Sequence, residues 1–572
     1  MTVIIVLSAA GVEVARALKA QLAPAEIHGL AGRVSAEAVD ETFSAAAKHI
    51  GGLFAAGRSI VGVCAAGILI RAVAPHLAEK ATEPAVVAVA QDGSAVVPLL
   101  GAHRGGSDLA RRAGIALDIA PADTAMSEVR LPVVVDDPPP GWTVADLRPF
   151  KSLAAHLGAG GGIDPDGDIP FLAPLPKGTT PVRATVAQRG DTGTIATYIA
   201  ERLALGIGAE RGADPAAAIA LATKVLAEGG YDPRAVSVVV SLDVKADETA
   251  VHAVADHLGA PARFFDRAAL AAEEARLANP SEIVRAAVGV AGVCEAAALA
   301  AAGPKARLVA PKTVAEGVTV ALALAPDPVP RTVGRARGHL AIVGTGPGSA
   351  ALRTKATVTA LAEADVYVGY SLYLDLVEDV RGHQPRHDFA LGDEAARVRH
   401  ALELAGEGKR VALISSGDPG IYAMASLAME LLDQGELSDA ARRVAVTVVP
   451  GVSAAQAAAA LSGAPLGHDF AFISLSDLLT PWAVIRQRLE AAAKGDFAVA
   501  LYNPRSARRT TQLVEALDVF CAARAPDTPV IIASNVGREG ERVRHETLKT
   551  FDPKEVDMLS TVIIGASTTR RF

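Results

Sequence analysis

The sequence contains few cysteines, few aromatic residues and no excess of positive charge. Its three cysteines, Cys64, Cys294 and Cys521, are far apart and form no CxxC pair, so neither a disulfide framework nor a cysteine zinc site is supported. The sequence also lacks an HExxH pattern, and we therefore predict no protein-bound catalytic metal. This cysteine usage fits the reducing environment of the cytoplasm.

The charge balance and the start of the chain limit the partners further. Lys and Arg number 55 against 63 Asp and Glu, which gives a net charge of −8 and argues against general nucleic-acid binding through a basic surface. The first residues, MTVIIVLSAAGVEVARALKA, contain a short apolar run without a basic segment before it. A secretory signal needs a charged start, and a membrane span needs about 20 apolar residues. We therefore expect a cytoplasmic protein that binds neither membranes nor nucleic acids.

Aliphatic residues are abundant instead. Hydrophobic residues make up 51 % of the 572 residues and aromatic residues only 4 %, a composition that suits helices packed on parallel sheets. Strand-like runs alternate with alanine-rich helical stretches, which predicts α/β layers with largely parallel sheets. The runs are TVIIVLS, SIVGVCA, AVVAVA, VSVVVSLDV, HLAIVGTG, DVYVGY, RVALISSG, VAVTVVPG, FAVALYN, PVIIASN and TVIIGAS.

The length predicts several domains, because one core serves about 150 residues. Two stretches rich in Gly and Pro, 158–181 and 325–338, have the composition of linkers. We place the boundaries accordingly. The predicted units are an N-terminal domain at 1–125, a bridging region and linker at 126–190, a third domain at 191–325, a linker at 326–338 and a last domain at 339–572.

The stretch LAIVGTGPGSAALRTKA, residues 340–356, has the order strand, glycine turn, helix. Its glycines are spaced GxGxG, whereas the dinucleotide fingerprint is GxGxxG followed by an acidic residue at the end of the next strand. Here the next strand, DVYVGY, starts at Asp365 and ends at Tyr370. An NAD site is therefore disfavoured, although an NAD-dependent oxidoreductase remains an alternative, as does a purely structural turn.

Two later turns have their own signatures. In VALISSGDPGIYAMASLAMELL, Asp418 is placed to cap the following helix, with Pro419 at the first helical position. In VTVVPGVSAAQ, Ser453 and Gln456 have the spacing of a capping box. Both turns have a structural interpretation and a ligand-binding one.

In their order and amino-acid sequence, these segments closely resemble the tetrapyrrole methyltransferases that use S-adenosylmethionine. The resemblance covers about 339–572, and the part LGHDFAFISLSDLLTPW is similar to the precorrin-3B branch. It implies two α/β lobes with the cofactor in the cleft between them, and a glycine turn that does not cradle phosphates. It also implies a homodimer. The matching segments are GTGPGS, ISSGDPGIYAMA, VVPGVSAAQAAAALSGAPLGHDFAFISLSDLLTPW, ALYNPRS and TVIIGAS.

The resemblance assigns residues to the cofactor. Methyl transfer from a sulfonium is an in-line displacement that depends mainly on alignment, and alignment can supply up to about 7 to 11 kcal/mol of the barrier. The cofactor-binding positions that the resemblance implies are Pro347, Ser416, Gly417, Asp418, Ile421, Ser453, Ala454, Asn503, Gly537 and Thr561.

The tetrapyrrole substrate is a polycarboxylate, so an acidic protein must gather cations locally to hold it. Arg505, Arg508, Arg509 and Arg538 are the candidates, and a solvated helix face is the alternative. The resemblance implies methylation at ring carbon 17 with contraction of the ring, from precorrin-3B to precorrin-4. His468 or Tyr370 would move the protons. Methylation at a different ring carbon is the main enzymatic alternative.

The first 325 residues resemble the cobalt-precorrin-5A hydrolase family. Residues 60–115 are similar to its N-terminal part, and 203–324 are similar to its C-terminal domain. Within the latter, the matching segments are LGIGAERG, SLDVKADE, NPSEIVRAAVGVAGVCEAAAL and APKTVAEGVTVALA. The resemblance implies the opening of a lactone and the release of a two-carbon fragment.

His103, Lys245 and Glu248 are the candidate catalytic residues of this region. A histidine or carboxylate there could activate water while Lys245 stabilises the oxyanion, and Lys245 and Glu248 follow a strand, where α/β proteins place ligands. Turn residues and helix-dipole partners are the alternative. The family's usual Ser-Gly before the histidine is replaced by Gly101-Ala102. We therefore also consider a non-catalytic module that binds tetrapyrroles and passes them to other corrin-pathway enzymes.

Overall fold

The computed structural model describes residues 2–77, 83–101, 105–122, 133–382, 384–434, 436–506 and 509–571. Within these ranges the chain forms five β-sheets with helices packed against them, which confirms the predicted multidomain α/β class. No helix in the described part of the chain is both long and apolar enough to span a bilayer.

The first sheet has six strands in the order β3-β2-β1-β4-β5-β6. All neighbours are parallel except β5 and β6. Strands β1 and β4 are almost wholly buried, as expected for continuous apolar runs covered by helices on both faces. The elements are β1 (Thr2–Val6), α1 (Val12–Leu22), β2 (Ala25–Leu30), β3 (Glu41–Phe43), α2 (Ala46–Ala55), β4 (Ser59–Val63), α3 (Ala66–Val73), β5 (Val86–Val89), β6 (Val96–Leu100) and α4 (Gly106–Leu117).

The second sheet has four strands in the order β7-β10-β9-β8. Its strand β8 lies within 158–181, the stretch whose Gly and Pro content predicted a linker. Ile163 and Ile169 hold this stretch in place, because both are buried in a core that includes Phe150 and Tyr198. The elements are β7 (Trp142–Val144), α5 (Arg148–Gly158), β8 (Ile163–Asp166), β9 (Thr180–Thr185) and β10 (Ala196–Ala200).

The third sheet has the order β13-β12-β11-β15-β14. Helices α6 and α7 contribute to one hydrophobic cluster and α10 to another, so the sheet is covered on both faces. The elements are β11 (Leu203–Ala209), α6 (Pro215–Glu228), β12 (Val236–Leu242), α7 (Thr249–Leu258), β13 (Ala262–Phe265), α8 (Arg267–Ala271), α9 (Glu282–Val288), α10 (Cys294–Ala302), β14 (Arg307–Ala315) and β15 (Val318–Leu324).

The fourth sheet has the order β18-β17-β19-β16-β20 and is parallel throughout. The carboxyl ends of its strands therefore lie at one edge, where ligands of such sheets usually bind. The elements are β16 (His339–Gly344), α11 (Lys355–Glu363), β17 (Val366–Tyr370), α12 (Ser371–Asp375), β18 (Arg386–Phe389), α13 (Glu394–Gly406), β19 (Arg410–Ser415), α14 (Met424–Gln434), α15 (Asp439–Arg442) and β20 (Ala445–Val449).

The fifth sheet has the order β21-β22-β25-β23-β24. Only the β21–β22 pair is parallel, and the other three pairs are antiparallel. The elements are α16 (Ala454–Leu461), β21 (Phe470–Ser474), α17 (Trp482–Lys494), β22 (Ala498–Tyr502), α18 (Gln512–Ala523), β23 (Pro529–Ser534), β24 (Arg542–Thr547) and β25 (Ser560–Ile564).

All eleven apolar runs of the sequence form strands. The expectation of largely parallel sheets is correct for the fourth sheet and wrong for the fifth. Only seven residues, 535–541, separate β23 from β24, too few for the helical crossover that a parallel neighbour requires. The chain returns as an antiparallel strand instead.

The stretch 325–338 forms no helix or strand, yet it is fixed to the third sheet. Val329 donates its amide to Glu201 O at 2.9 Å, and Arg335 exchanges two backbone hydrogen bonds of 2.8 Å with Phe264. The Arg335 side chain also donates to the carbonyl oxygen of Gly406, in α13. The third and fourth sheets are therefore joined by specific contacts.

Candidate active sites

Three glycine-containing turns meet at the carboxyl edge of the fourth sheet. They follow β16, β19 and β20. Gly346 donates its amide to Gly417 O at 3.2 Å, and Gly417 donates to Gly346 O at 2.7 Å. These two bonds make a short antiparallel bridge between the first two turns.

The close approach explains why these positions are glycine. A Cβ at Gly344 would lie 2.6 Å from Gly417 O and 2.8 Å from Gly451 N, well inside contact distance. The amides of Gly346 and Gly417 are already used within the chain, as is that of Thr345, which donates to Ser415 O at 2.9 Å. These amides therefore do not form the cradle of free N–H groups that a phosphate needs.

Asp418 does not cap a helix, so that interpretation is wrong. Helix α14 begins at Met424, because Tyr422 adopts a left-handed φ of 52° that interrupts helical geometry. The Asp418 carboxylate instead accepts from the amides of Gly420 at 2.8 Å and Gly451 at 3.1 Å, so it joins the second turn to the third.

The predicted capping box is confirmed. The Ser453 hydroxyl accepts from the Gln456 amide, and the Gln456 side chain accepts from the Ser453 amide at 3.0 Å. Ser453 is 1 % exposed, so this interaction fixes the start of α16 inside the structure. The neighbouring Ala454 is half-buried, as is Ile421 in the second turn.

An edge of the fifth sheet supplies the remaining residues assigned to the cofactor. Asn503 follows β22 with a φ of 49° and donates its side-chain amide to the Ser474 hydroxyl at 3.0 Å. Thr561 lies near the start of β25 and is 6 % exposed. Gly537 follows β23, and a Cβ there would lie 2.9 Å from the amide nitrogen of Ser349. The loop after β23 therefore touches the turn after β16.

Arg538 connects the two sheets directly. Its Nε donates to Pro347 O at 2.8 Å, and its Nη2 donates to the Ser416 hydroxyl at 2.9 Å. The guanidinium carbon lies 6.0 Å from the ring centroid of Tyr373, and burial lowers the pKa of Arg538. In this structure Arg538 holds the first and second turns of the fourth sheet against the fifth.

Tyr422 also links the two sheets, whereas Tyr502 holds the start of α16 against the fifth sheet, and sequence reasoning selected neither tyrosine. The Tyr502 hydroxyl accepts from the Ala455 amide at 3.1 Å, and burial raises the pKa of Tyr502. The Tyr422 hydroxyl donates to Phe472 O at 2.6 Å. Tyr502 stands next to Asn503 in the motif ALYNPRS, which was the signal available for it.

The other predicted residues of this region are dispersed. Arg505 donates to Pro553 O at 3.0 Å and Arg509 to Asn503 O at 3.2 Å, while Arg508 lies outside the described residues. His468 is exposed in the loop between α16 and β21. Tyr370 ends β17, at the same edge as the glycine turns, and packs edge-on against Tyr373 with ring centroids 5.2 Å apart.

A second candidate site follows β12 in the third sheet. Glu248 is 2 % exposed, and its Oε1 accepts from the Gly212 amide at 3.0 Å. Its Oε2 has no hydrogen-bond partner in the described chain and lies 3.6 Å from Arg211 Nη1. Burial lowers the pKa of the nearby Lys245. His103, predicted to act with these residues, lies outside the described residues.

The fourth-sheet region contributes a cation to this second site. Asp247 lies 2.9 Å from Arg211 Nη1 and 3.1 Å from Arg443 Nη1, just after α15. Burial opposes ionisation of Asp247, but the hydrogen bonds from both arginines outweigh it, so the pKa of Asp247 is lowered. Sequence reasoning could not have found Arg443, which is 196 positions away along the chain.

Comparison with known families identifies three regions of the chain. Residues 339–552 match the model of the tetrapyrrole (corrin/porphyrin) methylases. Residues 48–128 match the cobalamin synthesis G N-terminal model, and residues 203–323 match the model of its C-terminus. The chain belongs to the tetrapyrrole methylase family and carries a cobalamin synthesis G-like region before the methylase region.

Two named methyltransferases and one solved structure are similar to the methylase region of this chain. A protein named as a probable cobalt-factor III C(17)-methyltransferase from Salmonella typhimurium is 45 % identical over 40 % of this chain and 93 % of its own length. The precorrin-3B C(17)-methyltransferase of Sinorhizobium sp. is 43 % identical over 41 % of this chain and 91 % of its own length. The crystal structure of the methyltransferase CobJ is 38 % identical, covers 41 % of this chain and 97 % of that chain, and has a TM-score of 0.39.

Proposed function

We propose that residues 339–572 transfer a methyl group from S-adenosylmethionine to ring carbon 17 of precorrin-3B or its cobalt-containing counterpart, with contraction of the ring to the precorrin-4 level. The observation that supports this most is the joining of two sheet edges by Arg538, next to the turns that carry the family's motifs. Two relatives above 40 % identity are named for methylation at this carbon.

The residues at these edges suit a cofactor without phosphates. The amides of Thr345, Gly346 and Gly417 are satisfied within the chain, whereas the Ser415 hydroxyl is buried and has no hydrogen-bond partner among the described residues. A Cβ at Gly417 would lie no nearer than 3.9 Å to the start of α16, which leaves space beside this turn. When bound, S-adenosylmethionine supplies a methyl group on a positively charged sulfur. Ser416, Gly417 and Asn503 would position it, since this reaction depends chiefly on alignment.

The test is transfer of a labelled methyl group. The full chain is incubated with ¹³C-methyl S-adenosylmethionine and either precorrin-3B or cobalt-factor III, in separate reactions. We expect one methyl group on ring carbon 17, located by NMR, in at least one reaction, together with the absorbance change of ring contraction. Label on a different ring carbon would favour the alternative specificity. Absence of transfer in both reactions would contradict the proposal.

Proton transfer during ring contraction is assigned to His468 or Tyr370. His468 is exposed, and Tyr370 lies at the edge that carries the glycine turns. We expect His468→Ala or Tyr370→Phe to slow the appearance of contracted product by about 10²- to 10⁴-fold, the usual contribution of general acid–base catalysis, while adenosylhomocysteine still binds. If both variants contract the ring at the parent rate, neither residue has this role.

We also propose lactone hydrolysis at the second site, because Glu248 is buried with a carboxylate oxygen that accepts no hydrogen bond from the described residues and interacts electrostatically with Lys245. Glu248 would take a proton from water as the water oxygen attacks the lactone carbonyl. Lys245 would stabilise the oxyanion until the ring C–O bond breaks. The proton held by Glu248 would then pass to the departing alkoxide oxygen, which leaves a hydroxyl and a carboxylic acid that ionises to the carboxylate.

Cobalt-precorrin-5A given to the full chain tests this second activity. We expect the parent to open the lactone, and Glu248→Gln to open it at least about 10²-fold more slowly. Glu228→Gln, at an exposed position on α6, serves as the control and should match the parent. A parent that binds the substrate without opening it would instead favour the non-catalytic binding module.

The assembly of the proposed enzyme is a separate question. We propose a cytoplasmic homodimer formed through the methylase region, with transient contacts to other enzymes of the same pathway. Sedimentation equilibrium of the full chain measures its oligomeric state directly, and a monomer at micromolar concentration would contradict the dimer.

A further inference from the structure

A group of potential metal ligands lies at the edge of the first sheet, away from both sites above. His28 on β2 is directly opposite Glu41 on the edge strand β3, and His49 projects from α2. One ring nitrogen of each histidine and a Glu41 carboxylate oxygen all lie within 4.8 Å of one another. No other group of three such residues occurs in the described ranges.

The two imidazoles point ring nitrogens at each other. His28 Nδ1 and His49 Nε2 are 2.9 Å apart. The His49 ring stacks on Phe43, with centroids 4.4 Å apart and planes 7° apart, so its orientation is fixed. His28 is 3 % exposed, whereas His49 is half-buried and Glu41 is exposed. An ion could therefore reach the group from solvent.

A carboxylate behind His28 selects the tautomer that a metal ligand needs. Glu26 Oε2 lies 3.3 Å from His28 Nε2 and is itself paired with Arg58 at 3.2 Å. Glu41 Oε2 lies 3.9 Å from the same nitrogen, so the Glu41 side chain would have to turn toward His28 Nδ1 to share an ion with both histidines. With the proton on Nε2 and donated to Glu26, His28 Nδ1 keeps a lone pair directed at the His49 side. A carboxylate that orients a ligating histidine through its second nitrogen is the usual outer partner in histidine metal sites.

We propose that His28, His49 and Glu41 bind one divalent first-row transition ion of the Zn²⁺ or Co²⁺ type. Imidazole and carboxylate ligands suit these ions, and three protein ligands leave a fourth position for water. Tetrahedral geometry with metal–nitrogen bonds of about 2.0–2.1 Å separates two nitrogens by about 3.3 Å, so His28 and His49 would move apart by a few tenths of an ångström. The absence of CxxC and HExxH patterns argues against a catalytic metal site of those types. The proposed site uses a different set of ligands and lies away from both candidate active sites.

The chain contains a matched control for a histidine pair without a third ligand. His387 Nδ1 and His400 Nε2 are 2.6 Å apart in the fourth-sheet region, with rings tilted by 33°. Among the described residues, no third histidine, cysteine or carboxylate lies close enough to this pair to share an ion with it. A variant of the His387–His400 pair therefore distinguishes metal binding from the effect of losing a hydrogen bond between two imidazoles.

The untagged, metal-free full chain is titrated with Co²⁺, and binding is followed by the d–d absorbance of the ion at about 500–650 nm. Zn²⁺ is then added to displace the bound Co²⁺. We expect one equivalent of bound Co²⁺ in the parent and in His400→Ala. His49→Ala and Glu41→Gln should each lose it. Glu26→Gln, which removes the outer partner, should weaken binding by about 10- to 100-fold.

Each outcome bears on the proposal. Circular dichroism checks that the variants keep the parent's secondary structure, and both substituted ligands are at least partly exposed, so we expect them to fold. If the parent binds no Co²⁺, or if His49→Ala and Glu41→Gln bind it as the parent does, the site does not exist. Loss of binding in His400→Ala would place the ion elsewhere and would equally overturn the proposal.

Discussion

The two candidate active sites are built in different ways. The site after the fourth sheet depends on backbone approach, because a Cβ added at Gly344 or at Gly451 would clash with the carbonyl oxygen of Gly417. The site after β12 depends on charge, because Asp247 and Glu248 are held beside Arg211 and Arg443. The first site should therefore be sensitive to side-chain volume and the second to the removal of charge.

The largest predicted effect concerns the glycine contacts. Gly344→Val should destabilise the methylase region by at least about 3 kcal/mol, the upper end of the usual range for overpacking. The reason is that a Cβ would lie 2.6 Å from both Gly417 O and Pro419 Cδ. Amide hydrogen exchange in β16 and β19 gives the local opening free energy, and the methyl-transfer assay gives the activity.

Gly52→Val is the control for this substitution. Gly52 lies in α2, and a Cβ there would meet no atom of the described residues within 4 Å. Val and Gly differ in helix propensity by only a few tenths of a kcal/mol, so we expect a change below about 0.5 kcal/mol. Equal destabilisation by the two substitutions would mean that close backbone approach does not define the first site.

The next prediction concerns Arg538, which joins the two sheets of the methylase region. Arg538→Met should weaken adenosylhomocysteine binding by about 2 kcal/mol, or about thirtyfold, because hydrogen bonds from charged groups contribute about 1.5–3 kcal/mol. Calorimetry gives the affinity. Arg505→Met removes a guanidinium that donates to Pro553 O within the last lobe, and it should bind adenosylhomocysteine within about twofold of the parent.

This pair of arginines also separates two roles for Arg538. If Arg538 mainly holds substrate carboxylates, Arg538→Met would raise the KM for the tetrapyrrole and leave the affinity for adenosylhomocysteine unchanged. That result would contradict the role that the contacts with Pro347 and Ser416 indicate.

The difference between the two sites explains how much the sequence could predict. Backbone approach requires glycine at fixed places next to strands, so GTGPGS, SSGDPG and VPGVS were recognisable and their strands were found. The capping box at Ser453 is predictable for the same reason, since it depends only on two residues, Ser453 and Gln456, that are three positions apart. Local geometry leaves a local signature.

Long-range contacts left no such signature. The sequence offers Arg538 as a ligand of the substrate carboxylates, but it does not reveal that the fold brings Arg538 to turns 122 and 191 positions earlier. The interpretation of Asp418 as a helix cap fails because Tyr422 adopts a left-handed conformation and delays the start of α14. Residue type alone does not reveal that conformation. Arg443 reaches Asp247 from another sheet, and the antiparallel return of β24 follows from the length of a loop rather than from the pattern of the strand.

The smallest predicted effect concerns the ion pair that joins the charged site to the methylase region. Arg443 and Asp247 have side-chain exposures of 18 % and 28 %, so solvent screens their interaction only in part. A double-mutant cycle with Asp247→Asn and Arg443→Met should give a coupling of about 1 kcal/mol. Local opening free energies from amide hydrogen exchange around β12 and α15 supply the four values, because a multidomain chain does not unfold in two states.

The pH dependence of this coupling follows from the lowered pKa of Asp247. A carboxylate whose pKa is lower in the folded state stabilises that state fully above its unfolded pKa of about 3.9, and the contribution is lost as the pH falls through the folded value. Because Asp247 is fully ionised well above these pKa values, the coupling should be constant between about pH 5 and pH 8 and should decline below about pH 4. Arg486→Met and Glu490→Gln, an exposed pair within α17, should show a smaller coupling at every pH. A larger coupling for the exposed pair would show that the charged site is not joined to the methylase region through Arg443.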